Sequence, residues 1–450
     1  MKKTTFHYLS LVIASAFLLS SCGDNNVPGS EELYIHLHNA LKLNSDGIGA
    51  PYYTLPESND LASIPQDPNN PLTAEKVALG QFLFHETAMA VNPENAISIR
   101  TFSCSSCHFA EAGFQANRIQ GIGEGGLGFG IAGEDRINHP IYMASLLDVQ
   151  PVRTPSVMNG AWQECNLWNG QFGATGINAD TEYAWTEDTP KEKNHLGFQG
   201  LETQAIAGLD VHRLEMNPEI AEEHNYIALF DEAFPFVTEG ERYSNITAGL
   251  AIGAFERSVI SNKAPFQQWL KGDLTAMSDV EIRGAITFFT KGECVTCHNG
   301  PNLANMEFHS LGMQDLNGPG VFNTNPTDGV NRGRESFSRI PEDLYCFKVP
   351  QLYNLRDSKF YGHGSSFRDI YEVLEYKNNG VKENNFVPTN RLSPHFKPLE
   401  LTEQELRELY AFLNNALYDD QLSRYAPDAL PSGLCFPNND VVSREDLGCN

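Results

Sequence analysis

Two segments of this chain carry the same arrangement: "CSSCH", from Cys104 to His108, and "CVTCH", from Cys294 to His298. No other feature limits the fold as tightly. Two thiols at that spacing reach the two vinyl groups on one edge of a porphyrin, and the adjoining imidazole swings beneath the ring to ligate iron. Zinc would need four ligands from both clusters converging on one point, whereas each copy here is complete as an attachment site for c-type haem. The pattern predicts two covalent haems, held by Cys104, Cys107, Cys294 and Cys297, with His108 and His298 as proximal iron ligands.

Covalent haem of this type is attached outside the cytoplasm, and the N-terminus agrees. Lys2 and Lys3 precede an apolar run from Tyr8 to Leu19, too short to span a bilayer, and "LSSC" follows, ending at Cys22. This reads as a lipoprotein signal over residues 1–21 with Cys22 as the lipidated first residue, the alternative being an ordinary secretory signal. Either predicts export to the bacterial cell envelope, with a lipid tether facing the periplasm or the outer surface. Four other cysteines remain, and an oxidising compartment permits bridges between them. Cys435 and Cys449 flank a polar tail and are expected to staple it; Cys165–Cys346 follows by elimination. A formal charge of −26 excludes nucleic acid as a partner and suits a basic electron-transfer protein, or solubility alone.

Helix signals surround both motifs. Thr73 caps "AEKVALGQFLF", with Leu72 and Val77 placed as a hydrophobic staple. Ser278 and Glu281 form a capping box ahead of Ile282, Ala285, Ile286 and Phe289, which share one face, and Gly292 ends that helix before Cys294. Thr402 and Glu405 form another box before a stripe of Leu406, Leu409, Tyr410, Leu413 and Leu417. Residues 245–260 are a further helix candidate. "GIGEGG", Gly121 to Gly126, lacks the strand that a dinucleotide fingerprint needs and reads as a loop. The fold class is mainly α, with long loops to wrap cofactors.

With these blocks in order, residues 72–418 resemble the di-haem cytochrome c peroxidase and MauG family. "LTAEKVALGQFLF", "RTPSVMN" (153–159), "LWNGQ" (167–171), "HRLEM" (212–216) and the run from Phe347 to Gly380 carry the resemblance. It implies two cytochrome-c-like domains with one haem each. The expected divisions are a tether and extension over 22–71, a peroxidatic domain over 72–244, an electron-transfer domain over 245–425 and a tail over 426–450. The implied activity is reduction of hydrogen peroxide with electrons from a cytochrome or other exported redox donor. The alternatives are a MauG-like oxidase that modifies a partner protein and a non-enzymatic electron carrier.

Residue by residue, the resemblance implies that Glu215 and Gln204 line the peroxide side of the first haem, with one extra residue between them, and that Trp168 bridges the haems. His212, three residues before Glu215, joins them as a catalytic candidate by sharing its helix face. Glu124 stands where six-coordinate members place a loop histidine, and the next histidine is His139, so the first haem is expected to be open. The second haem's distal ligand falls fourteen residues after His363, at Lys377, with Tyr376 beside it, where relatives have Met or Tyr. Arg153 aligns with an Asn that helps bind calcium in the family, which makes calcium doubtful here.

Overall fold

The computed structural model describes residues 30–449, so the signal segment and Cys22 lie outside the described residues. The helices that organise it are α1 (Ser30–Leu43), α2 (Ala74–His85), α3 (Gly200–Val211), α4 (Asn245–Ser258), α5 (Asp279–Phe289), α6 (Ile370–Asn379), α7 (Glu403–Ala411) and α8 (Val441–Leu447). Two antiparallel ribbons accompany them: β1 (Gly126–Leu127) with β2 (Ile137–Asn138), and β3 (Phe308–His309) with β4 (Phe347–Lys348). Shorter helices, single turns and loops connect the rest, as a mainly α chain wrapped around cofactors requires. No helix among the described residues is long and apolar enough to cross a membrane.

The capping residues act as their chemistry dictates. The Thr73 side chain accepts from Lys76 N, and both Ser278–Glu281 and Thr402–Glu405 form reciprocal capping boxes. The α7 helix gives way at Phe412 to a π turn that runs to Ala416.

Two apolar cores result. In the first, Leu83 and Phe84 of α2 meet Ala205 and Leu209 of α3 and Ile252 and Phe255 of α4. In the second, Leu37 and Leu41 of α1 meet Ile282 and Phe288 of α5 and Leu409 of α7. Each core contains a helix crossing closed by a glycine. A Cβ on Gly80 would lie 1.9 Å from the Ala251 carbonyl oxygen, and one on Gly284 would lie 2.0 Å from that of Glu408. The α2–α4 and α5–α7 crossings are thus equivalent parts of two similar units, each with its C-x-x-C-H turn following the first helix of the pair in sequence.

This packing places α4 with the first core, although it begins at Asn245, the residue at which the sequence reading opens the second domain. The division between cores falls between Val259 and Ile260. Residues 30–55, expected as tether and extension, instead supply α1 and Tyr53 to the second core. Within the first core, Arg257 of α4 makes two 2.7 Å bonds to the Glu202 carboxylate of α3, and both side chains are wholly buried.

The tail folds back on the first unit. Cys435 and Cys449 are disulfide-bonded, as expected. Cys165 and Cys346 are not: both are free thiols. Cys165 is buried against Gly170, while Cys346 Sγ faces the carbonyl oxygens of Glu342 and Leu344, so each is committed to separate surroundings.

Candidate active site

The first motif sits in a single turn, Cys104–Ser106, whose shape is fixed by serines. Ser106 Oγ accepts from Ser103 N at 3.0 Å, and both hydroxyls donate to the Pro437 carbonyl of the tail at 3.1 Å. The second motif occupies the corresponding turn, Cys294–Thr296. None of the four motif cysteines is in a disulfide.

Both imidazoles are prepared in the same way. His108 Nδ1 lies 3.2 Å from the Phe114 carbonyl oxygen, and His298 Nδ1 lies 3.0 Å from that of Leu303. Phe114 and Leu303 both take left-handed backbone angles, φ 55° and φ 50°, which bulky residues rarely adopt. That strain aims each carbonyl at its histidine. A proton held at Nδ1 leaves Nε2 with its lone pair free. Burial holds both imidazoles down, to about 4, so both are neutral.

One continuous cavity of about 480 Å³ is lined by both motifs, with Trp168 on its wall. Its first end is cradled by the glycine loop. A Cβ on Gly121 would lie 2.9 Å from Cys107 Sγ, and one on Gly123 would lie 2.4 Å from Asp148 Oδ2. Paired thiols, a neutral imidazole with one nitrogen free and a cavity against them form the donor set that haem requires. The residues that would hold it are Cys104, Cys107 and His108 at one end, and Cys294, Cys297 and His298 at the other.

Beside the first motif the structure brings Gln204 and His212 to the cavity wall, and with them a residue the sequence reading did not name, Asp148. His212 Nδ1 donates to the Asp148 carboxylate at 2.8 and 3.0 Å. Burial alone would lower His212, but the Asp148 charge and hydrogen bond outweigh it and raise the imidazole above its usual value. Burial likewise opposes ionisation of Asp148, yet His212 and Arg213 hold its carboxyl below the usual range. The result is an ion-stabilised pair with His212 Nε2 left free.

Glu215 is not brought to this cavity. Its carboxylate accepts from Asn92 at 2.6 Å and Asn217 at 2.8 Å in a separate pocket. The α3 helix ends at Val211 and Arg213 is left-handed, so the extra residue after Gln204 turns Leu214 towards the cavity and Glu215 away. Glu124 is also directed elsewhere. Its buried carboxylate accepts from Glu94 N, Tyr142 Oη and Arg213 Nε.

Trp168 also lines the cavity. Its indole N–H donates to the Arg153 carbonyl at 2.8 Å, and its ring meets His363 edge-on at 6.3 Å. His363 also stacks on Phe347 at 3.6 Å and contacts Asp315. Of the two distal-ligand candidates for the second haem, Lys377 lines the cavity. Tyr376 does not: its hydroxyl donates to the Leu311 carbonyl at 2.6 Å and its ring packs on Phe367 and Phe396. Adjacent positions on α6 point in different directions, so only one of the two faces the cavity.

Comparison with known proteins gives a consistent result. The family model described as di-haem cytochrome c peroxidase matches residues 74–275. The methylamine utilization protein MauG of Methylorubrum extorquens is 30% identical over 352 residues, covering 78% of this chain and 80% of that protein. The cytochrome-c peroxidase IdrP1 of Denitromonas iodatirespirans is 26% identical over 382 residues, covering 80% and 85%. Among solved structures, a MauG-like protein associated with microbial copper homeostasis superimposes with a TM-score of 0.57 at 23% identity, covering 83% of this chain and 98% of that one.

Proposed function

The chain belongs to the di-haem cytochrome c peroxidase family and carries two c-type haems, and from that premise we propose that it reduces hydrogen peroxide to water with electrons from an exported redox protein. Peroxide, two electrons and two protons give two waters. Bound haem supplies the iron that coordinates peroxide and the electrons that break its O–O bond. The chain's own residues move the protons. His212 Nε2 would take a proton from one peroxide oxygen and return it to the other, while Asp148 holds the ring in the required tautomer and stabilises its protonated form. Gln204 orients the peroxide by hydrogen bonding, and Trp168 carries electrons between the two ends of the cavity.

The observation that carries this reading is the single cavity joining both motifs, with Trp168 on its wall and the His212–Asp148 pair at its first end. The test is steady-state peroxide reduction by the mature di-haem protein with a reduced cytochrome c. Absence of turnover with both haems present would rule it out.

A second reading has specific support: the likeness to a MauG, together with Lys377 instead of Met at the position fourteen residues after His363. In that reading the oxidising equivalents are spent on side chains of a partner protein. Mass spectrometry of neighbouring exported proteins, with and without peroxide, separates it from the first. A carrier role alone requires both irons fully ligated, and a high-spin resonance signal from the resting protein would exclude it. Export and lipidation at Cys22 belong to the same proposal, with the periplasm or outer surface as location. Lipidation is tested by the mass of the membrane-bound form.

A further inference from the structure

Two cations are buried where the cavity passes between the cores. Arg153 is 3% exposed and Lys348 8% exposed, and both line the cavity. The Arg153 guanidinium donates to Gln115 Oε1 at 2.6 Å, Ser358 Oγ at 2.7 Å and the Arg118 carbonyl at 3.5 Å, and lies over the Phe360 ring. The Lys348 ammonium donates to Gln163 Oε1. All of these acceptors are neutral. Among the described residues no ion pair joins either cation to a carboxylate, and no acidic carboxyl is among the charges acting on them. Burial accordingly pulls Arg153 down to about 9 and Lys348 to about 8.

Other buried guanidiniums are provided for. Arg136 meets Asp440, and Arg257 meets Glu202. Arg334, away from the cavity, is enclosed by the carbonyl oxygens of Asn169, Gly170 and Ile177. A buried cation facing a cavity without an anion is unfavourable unless the cavity's occupant supplies one. Each haem brings two carboxylates on its edge.

We propose that Arg153 and Lys348 form the receptor for haem propionate carboxylates at the junction of the two units. Arg153 then joins them: Gln115 and Arg118 come from the loop after the first motif, Ser358 and Phe360 from the second unit. Both residues also grip the bridge. Arg153 N–H donates to the His363 carbonyl at 2.8 Å, the Trp168 indole donates to the Arg153 carbonyl at 2.8 Å, and Lys348 N–H donates to the Trp168 carbonyl at 2.8 Å. Seating of the haem carboxylates and placement of the indole are therefore one event. The inference rests on haem loading and not on the peroxide reaction.

The test compares mature di-haem protein with Arg153→Gln, Lys348→Gln and the charge-preserving Arg153→Lys and Lys348→Arg, using Arg407→Gln, on the exposed face of α7, as control. Resonance Raman reads the haem propionate bending band, and spectroelectrochemistry reads both midpoint potentials. The Gln variants are expected to shift that band and to move at least one midpoint to more negative values, because a cation favouring the reduced, more negative haem has been removed. The control is expected to change neither. An unshifted band with unchanged potentials in both Gln variants, haems retained, overturns the receptor. Should the Gln variants fail to mature, the Lys and Arg exchanges decide: their altered donor geometry must shift the same band, and an unshifted band overturns the receptor equally. Absence of peroxide turnover in the unsubstituted di-haem protein, with the band shift present in the Gln variants, would count against the proposed reaction and leave the receptor standing.

Discussion

His212 and Asp148 form a hydrogen-bonded pair at the cavity's first end, and their chemistry sets a specific expectation. His212→Gln removes the proposed proton acceptor, so kcat/KM for peroxide should fall by about 10²–10⁴-fold. Asp148→Asn leaves the ring but not its orientation or charge support, and a loss of about 10–100-fold is expected. Glu215→Gln, outside the cavity, should cost little. Steady-state kinetics on the three variants separates them, and a collapse in Glu215→Gln alone would reverse the assignment. The pH profile carries the sign. His212 works as a base only when neutral, and Asp148 raises its pKa against burial and the neighbouring Arg213. Activity of the intact protein should therefore fall on the acid side above the ordinary imidazole value of about 6.5. In Asp148→Asn that limb should move to lower pH. The haem-attaching residues were readable from sequence because their chemistry demands contiguous positions. The placement of Glu215 outside the cavity could not be read from sequence, because a matched block counts residues without fixing where the helix ends. Asp148 gave no signal, since its partner is 64 positions away.

At the scale of helices, the crossings explain which glycines the fold depends on. An alanine at Gly284 would press its Cβ to 2.0 Å from the Glu408 carbonyl, and neither backbone can yield without parting α5 from α7. Gly284→Ala should cost at least about 1–3 kcal/mol, seen as a lowered Tm or denaturant midpoint. Gly240→Ala, with nothing within 4 Å, should be neutral. Removing the Cys435–Cys449 link through Cys449→Ser should cost about 2–4 kcal/mol. The loss should be felt first around Ser103 and Ser106, which donate to Pro437 inside the closed loop; hydrogen exchange in that turn checks it. Caps made α2, α5 and α7 legible, because Thr73, Ser278 and Thr402 are local signals. The affiliation of α4 was not, because an apolar face at helical spacing says that a helix is buried and not against which core. The α1 helix had a readable stripe, Leu33, Leu37, Ala40 and Leu41, whose burial in the second core is a long-range fact.

The whole molecule is two haem units sharing one cavity, and Trp168 is among the side chains that line it; its proposed role as a bridge is testable. Trp168→Leu should leave both haems in place but slow electron exchange between them, because a saturated side chain offers no oxidisable orbital across the gap. Stopped-flow spectra after peroxide addition should then show oxidation of the second haem lagging behind the first. The outer surface makes a different demand. With 57 acidic and 31 basic side chains the chain repels acidic proteins and draws in basic ones. At low salt that field acts over tens of ångströms, and at physiological salt it is screened within about 8 Å. If the electron donor docks through it, kcat/KM for a basic cytochrome should fall steeply as salt rises, while kcat/KM for peroxide, a neutral molecule, should stay level. An acidic donor should show the opposite slope, because salt relieves its repulsion. Measuring both donors across one salt series distinguishes steering from solubility: if the negative charge serves only to keep the protein dissolved, the basic and acidic donors will show the same flat dependence.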